Sequence, residues 1–435
     1  MKILFVDNFR GFKNTYIPIT EVNFLVGENS TGKTSILSLI KLLHSAEFWI
    51  NNFDFNSEDI HLGHYRDIVS INATDQKYFS IGLIEEVFTE KAEKQIVAFL
   101  LTFTNHKGIP QPMIYAFSIG KNEFRIRLTK KQMKFKHKTI PMYSQVEDFV
   151  KEIYCEWITA YKKDTRGYKV LPEEIRVLSN TPPLFIGSAL AQLKEKQGAK
   201  AQRFRLPFIR EEITWLAPIR TKPRRTYDEY NLTFSSEGAH TPYVIKNILE
   251  RKSAPGKFKK FLDRVGRDSG LFDSIKTKTY GRGVTAPFEL DIILQGKALS
   301  ISNVGYGVSQ ALPVIVEAFI TPSKSWTAIQ QPEVHLHPKA QAALGDIFFE
   351  LAVSEGKRFI VETHSDYTID RFRLNYKKKD FQKKPQAQIL YFERDLDGNN
   401  KVYQIEIQNN GELPADQPQG YRDFFIREEM ALLGL

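Results

Sequence analysis

Residues 22–35 read Val-Asn-Phe-Leu-Val-Gly-Glu-Asn-Ser-Thr-Gly-Lys-Thr-Ser. The apolar residues at 22 and 24–26 predict a short buried strand. Residues 27–35 then match G-x-x-x-x-G-K-[ST] at every fixed position. A helical pattern follows in Ile36, Leu37, Leu39, Ile40, Leu42 and Leu43. Strand, glycine loop and helix come in the order a phosphate-binding loop requires. Gly27 and Gly32 permit backbone conformations that a side chain would obstruct. The backbone through Asn29, Ser30, Thr31 and Ser35 can then turn N–H groups toward phosphates at the positive end of the helix dipole. Lys33 is expected to reach the β- and γ-phosphates, and Thr34 to offer its hydroxyl to Mg²⁺.

The whole chain has 435 residues, which suggests two or three domains. Hydrophobic residues are 42% and charged residues 26%, a globular balance that excludes collagen-like and wholly disordered chains. The 61 Lys and Arg against 51 Asp and Glu leave a net charge of +10, which favours an anionic partner. The single cysteine, Cys155, can form no internal disulfide and excludes a cysteine-held structural zinc. No stretch of ~20 apolar residues is present to cross a bilayer, and the start of the chain reads as a strand and turn, not a signal peptide. These features predict a cytoplasmic protein without a membrane partner.

Apolar runs at 97–103 and 114–119 sit within an expected antiparallel meander over 79–128. Residues 129–212 change character: they are basic, with a helical pattern at 145–163 and further helical sequence at 190–205. Helical patterns at 242–265, 307–319 and 338–353 alternate with strand patterns at 288–294, 326–330, 359–362, 389–392 and 402–407. The expected organisation is therefore α/β, with a mixed sheet and a flanking meander. Residues 1–128 and 213–435 form the two parts of one head, and residues 129–212 an inserted helical arm.

The distal motifs narrow the class. Residues 326–338 read Trp-Thr-Ala-Ile-Gln-Gln-Pro-Glu-Val-His-Leu-His-Pro, a strand running into Pro-Glu-x-His-Leu-His-Pro. This resembles the Walker B and D-loop segment of ABC-type ATPases, most of all the OLD and RecF branch and more distantly the SMC proteins. Residues 302–310, Ser-Asn-Val-Gly-Tyr-Gly-Val-Ser-Gln, are similar to that family's signature motif. Thr363-His364-Ser365 closes a strand as its switch histidine does, and Asn8-Phe9-Arg10-Gly11-Phe12 is typical of the branch. Residues 62–68 sit where the family has its Q-loop. Trp215-Leu216-Ala217-Pro218-Ile219-Arg220 resembles a segment of stand-alone OLD-like ATPases of bacterial defence operons, the group of AriA of PARIS and PtuA of Septu.

The resemblance implies an ABC-type head that binds ATP and Mg²⁺. It adds Arg10, Gly305, Gly307 and Ser309 to the nucleotide-binding set. In the family the signature of one subunit faces the γ-phosphate held by the other. One loop and one signature per chain thus imply a head-to-tail homodimer, or a higher homo-oligomer, enclosing ATP. His364 would contact the γ-phosphate.

One departure stands out. Walker B strands normally end in an acid that helps hold Mg²⁺, beside an acid that activates water. Here Gln330 and Gln331 are both amides, which neither accept a proton nor neutralise a cation. Three readings are open: a slow natural ATPase acting as an ATP-bound clamp, an introduced Glu→Gln change that traps the ATP state, or transfer of the acid's work to Glu333. On the first two, hydrolysis is impaired. Gln330, Gln331, Glu333 and His364 are the catalytic candidates, and Thr34 and Gln330 the metal candidates. Glu362 is a weaker candidate for water or Mg²⁺. His335 and His337 read as D-loop residues, not a zinc pair.

Basic clusters at 130–138, 203–210, 222–225 and 377–384 suit either nucleic acid or ordinary solvated faces. Asp395 and Asp397 read as turn residues, and the apolar residues Phe424, Phe425, Ile426 and 431–435 as a self-packing tail. The leading expectation is an OLD-like anti-phage ATPase that controls a separate nuclease or toxin; the alternative is a RecF-like DNA-repair ATPase.

Overall fold

The computed structural model describes residues 2–430 apart from 52, 58, 89–93, 129–132, 164–165, 171–212, 229–230, 251–254, 284, 379–380, 382, 422 and 424–429. The basic cluster at 203–210, the helical expectation at 190–205 and the apolar tail lie outside the described residues. The architecture is α/β, with a six-stranded mixed sheet and an eight-stranded antiparallel sheet as the two largest. Contacts divide the chain into two units that are not contiguous in sequence. The first comprises Met1–Thr20, Asn29–Glu211 and Phe392–Val402; the second comprises Glu21–Glu28, Glu212–Tyr391 and Tyr403–Leu435. This division crosses the chain-order reading twice. The strand before the phosphate loop belongs to the second unit, and the tip of the hairpin at 392–402 belongs to the first.

The first unit is built on an eight-stranded sheet that includes Lys2–Asp7 and the meander Tyr78–Phe88, Lys94–His106, Ile109–Ile119 and Asn122–Leu128. Its strands look continuously apolar because alternate residues are buried on opposite faces. On one face Phe79 and Phe103 stack at 5.0 Å, and Phe53, Phe55 and Trp49 pack edge-on around them. On the other face Ala98 and Leu100 meet Phe149, Ile153, Tyr154 and Trp157.

Those last residues come from the segment expected to form a basic helical arm, and here the structure differs. Met133–Thr139 is a strand paired with Asn122–Leu128, not a helix. Its lysines 134, 136 and 138 alternate with Met133, Phe135 and His137, the period of two of a strand, and Lys169–Val170 pairs along its other side. The helical residues Val146–Phe149, Val150–Tyr154 (a π turn) and Cys155–Lys163 do not project as an arm. They cover the sheet. Trp157 is 1% exposed and its Nε1–H donates to Glu123 Oε1 at 2.8 Å. Trp157→Ala is expected to cost about 3–5 kcal/mol, through lost burial and a cavity. Urea unfolding of the full chain measures it; a loss below about 1 kcal/mol would mean that this helix is not docked.

The second unit is built on a six-stranded sheet in the order Ile213–Leu216, Trp326–Gln330, Arg358–Glu362, Val22–Gly27, Ala387–Arg394, Asn400–Ile407. The first four strands are parallel neighbours. Phe24, Ile329 and Val361 are fully buried, as in a parallel sheet covered on both faces. Helices Tyr306–Ile320, Pro338–Glu355 and Asp366–Leu374 supply much of the same core, including Leu312, Phe348 and Phe372. A small antiparallel sheet, Ser274–Thr279, Phe288–Leu294 and Lys297–Ser300, completes the unit. No helix among the described residues is long and apolar enough to cross a membrane.

Candidate nucleotide site

In the first unit, helix Lys33–His44 starts at Gly32, whose φ is +94°. A Cβ there would sit 2.5 Å from the Phe12 ring, so conformation and space both demand glycine. No side chain caps this helix start and its first turn holds no acid. Those are the conditions under which the first-turn N–H groups and the helix dipole can receive an anion. Lys33 is 4% exposed, while Thr34 is exposed. Ser30, at φ +63°, accepts from Arg394 Nη2 through its carbonyl at 2.6 Å.

Arg10 occupies the tip of a tight loop in which Phe9 and Phe12 exchange backbone hydrogen bonds. Its Nη2 donates to the Leu62 carbonyl at 2.6 Å and its Nη1 to Ser35 Oγ at 3.4 Å. Asn400 Nδ2 donates to the Arg10 carbonyl at 3.0 Å. Arg10 is thus held against the helix that starts at Lys33 and against the segment resembling the Q-loop. Desolvation lowers its pKa, with Asp67 pulling the other way. A phosphate would relieve that cost.

In the second unit, the strand Trp326–Gln330 ends in a defined polar constellation. Gln330 is 4% exposed. Trp215 Nε1–H donates to its Oε1 at 3.0 Å, and its own Nε2 donates to Glu362 Oε2 at 2.8 Å. Arg220 Nη2 donates to the Gln330 carbonyl at 2.9 Å. One end of the side chain therefore meets a donor and the other an acceptor, which is the pattern an amide satisfies and a carboxylate does not. Burial pulls the Arg220 guanidinium down to about 10, against the opposing influence of Glu333. Its Nε and Nη1 have no hydrogen-bond partner in the structure.

Gln331 follows at φ +43°, its N–H donating to the Glu362 carbonyl at 2.7 Å. Glu333 uses both carboxylate oxygens on the next strand's end: Thr363 Oγ1 donates to one at 2.8 Å and the His364 N–H to the other at 2.7 Å. The carboxylate fixes the segment that carries His364, whose imbalance of partners is clear: its backbone is bound, and its imidazole has no hydrogen-bond partner among the described residues. His337 caps helix Pro338–Glu355, and His335 packs edge-on against Tyr306 at 5.0 Å. No group of three or more metal-ligating side chains occurs among the described residues.

The segment that resembles a signature motif, residues 302–310, leads into helix Tyr306–Ile320 through Gly305. Ser309 Oγ donates to the Tyr306 carbonyl at 2.8 Å. The two glycines differ in what they permit. A Cβ on Gly307 would lie 2.7 Å from the His335 carbonyl oxygen, whereas one on Gly305 meets nothing within 4 Å. Gly307 is needed for packing against His335 and Leu336, and Gly305 leaves an open backbone. Gly307→Ala is expected to cost about 1–3 kcal/mol by overpacking, and Gly305→Ala less than about 1 kcal/mol. Thermal unfolding of the two variants side by side distinguishes them; equal losses would refute the packing account.

The sequence reading did not single out Trp215 or Arg220 as site residues. Both lie in the Trp-Leu-Ala-Pro-Ile-Arg segment, whose resemblance was its one signal. Both reach Gln330 across more than a hundred residues of chain, as the strand Ile213–Leu216 pairs beside Trp326–Gln330.

Two family models match parts of the chain. A family model described as "AAA ATPase domain" matches residues 1–180. A second, described as "AAA domain, putative AbiEii toxin, Type IV TA system", matches residues 205–370. Both matched models describe AAA-type ATPase domains, and each covers less than half of the chain. The first match includes residues 27–35, and the second includes residues 302–310, 326–338 and 363–365. No curated protein matches the chain. Among solved structures it is similar to the Smc head bound to the C-winged helix domain of ScpA, at 12% identity over 93% of this chain and 97% of that one, with a TM-score of 0.43. It is also similar to the SMC head domain from Thermotoga maritima, at 11% identity over 94% and 100%, with a TM-score of 0.40. A third similar structure is the recombination mediator protein RecF-ATPrS, at 12% identity over 92% and 97%, with a TM-score of 0.30.

Proposed function

We propose that the chain is an ATP-operated switch of the OLD-like, ABC type. Two copies close head to tail over ATP and Mg²⁺, and the closed state controls a separate toxic protein, such as a nuclease, in anti-phage defence. The observation that carries this reading is the Gln330 amide, held by a donor and an acceptor where a catalytic acid is expected. Such a strand end favours holding ATP over turning it over. The defence assignment is supported by the AbiEii toxin and type IV toxin–antitoxin wording of the family matched at 205–370.

In this reading Lys33 and the backbone of residues 27–35 bind the phosphates, assisted by Arg10, and Thr34 holds Mg²⁺. Gly305, Gly307 and Ser309 serve the partner copy's γ-phosphate. Gln330 and Gln331 position water or metal, Glu333 positions the switch segment, and His364 senses the γ-phosphate. Light scattering with and without Mg²⁺-ATP, alongside phosphate release, tests it. ATP is expected to double the mass or more, with turnover far below about 1 s⁻¹. Rapid turnover, or a mass indifferent to ATP, would sink the switch. Turnover stimulated by DNA, with a steep salt dependence, would favour the RecF-like alternative.

A further inference from the structure

The second unit contains a cavity of about 70 Å³, and of the residues around it Ser309 alone has a nucleotide role above. About 10–15 Å³ on this measure holds one water, so the space takes a small organic group. Its walls are apolar and aromatic, with Tyr227, Tyr243, Leu290 and Leu312 among them. Tyr227 is fixed: it stacks on Phe288 at 5.3 Å and its hydroxyl accepts from the Arg224 N–H at 3.1 Å. Tyr243 meets both rings edge-on. The aromatic wall is therefore preformed.

Four of the polar features suit an anion. Lys222 and Arg224, both exposed, line the cavity, and no carboxylate does so among the described residues. The first turn of helix Thr241–Leu249 contributes Thr241, Pro242 and Tyr243, which brings the positive end of its dipole to the space. The hydroxyls of Thr221 and Thr241 are buried and have no hydrogen-bond partner among the described residues, and Thr241 is only 2% exposed. Buried hydroxyls without partners are uncommon, and a ligand oxygen satisfies them.

We propose that this cavity is a binding site for a small aromatic phosphate. The ring lies against Tyr227 and Tyr243, and the phosphate takes the threonine hydroxyls with Lys222 and Arg224. Ser309, Leu312 and Pro313 of the signature helix form another wall. A bound ligand therefore bears on the helix whose first turn carries Gly307 and Ser309, and couples to ATP. The coupling, unlike the site, rests on the switch reading above.

The probe is phenyl phosphate, titrated by calorimetry into the full chain carrying Lys33→Ala, which silences the phosphate loop. Saturable binding is expected. Thr241→Val, which keeps shape and removes the hydroxyl, should weaken it about three- to tenfold. The pair Lys222→Ala and Arg224→Ala, both surface changes, should weaken it about tenfold or more. Absence of saturable binding, or equal affinity in every variant, overturns the site. On the chain with Lys33 intact, saturating phenyl phosphate should change ATP affinity at least about threefold. Unchanged ATP affinity with Thr241-sensitive binding removes the coupling and keeps the site. Failure of the intact chain to bind ATP removes the switch reading, and the Lys33→Ala titration still decides the site.

Discussion

Lys33→Ala is expected to reduce ATP affinity by about a hundredfold while the fold survives. A buried charge-assisted contact to phosphate is worth up to about 3 kcal/mol. The residue sits immediately after Gly32, in a helix start without a side-chain cap or an acid. A phosphate there relies on the lysine and the backbone N–H groups together. Fluorescence titration with a labelled ATP measures the loss, and circular dichroism checks the fold. Unchanged affinity would mean that the loop does not hold the nucleotide. The same substitution should also abolish any ATP-dependent increase in mass.

Gln330→Glu has the second large effect, and it acts in opposite directions with and without metal. The new carboxylate faces Glu362 Oε2, now 2.8 Å from the amide nitrogen, at a position 4% exposed. Two buried carboxylates at that distance do not both ionise, so the folded-state pKa of the pair rises above the usual ~4.3. The folded form then holds more protons than the unfolded chain. Stability relative to the parent is preserved below ~4.3 and falls as pH climbs through the raised value. Without nucleotide the variant should lose about 2–4 kcal/mol at pH 7. Mg²⁺-ATP should recover most of it, because a divalent ion is the natural partner of such a pair. Under the switch reading, turnover rises about a hundredfold or more. A pH-independent stability difference would refute the Glu362 contact. Unaltered turnover would refute a catalytic role for position 330.

Much of the second unit's sheet was legible in the sequence. The strand patterns at 288–294, 326–330 and 359–362 and the helical patterns at 307–319 and 338–353 recur within a few residues in the structure. Apolar periodicity is a local property, and these elements bury one continuous stripe or run. The turn reading of Asp395 also stands: its carboxylate accepts from the Asp397 and Asn399 N–H groups. The segment at 133–139 was misread because its alternating lysines were weighed as charge. Their period of two is a strand's, and the neighbouring strand Asn122–Leu128 supplies the pairing.

The expected phosphate loop is read entirely from contiguous residues, so its spacing is a property of the covalent chain alone. Which partners surround Gln330 is not. Trp215, Arg220 and Glu362 converge on it because parallel strands from distant parts of the chain lie side by side. The same holds for Gly307, whose need for a missing side chain comes from the His335 carbonyl, and for the cavity walls drawn from residues 221–313. A local pattern determines where a backbone turns and which face it buries. Only the folded chain determines which buried donor meets which acceptor, because that pairing depends on residues with no fixed separation in sequence.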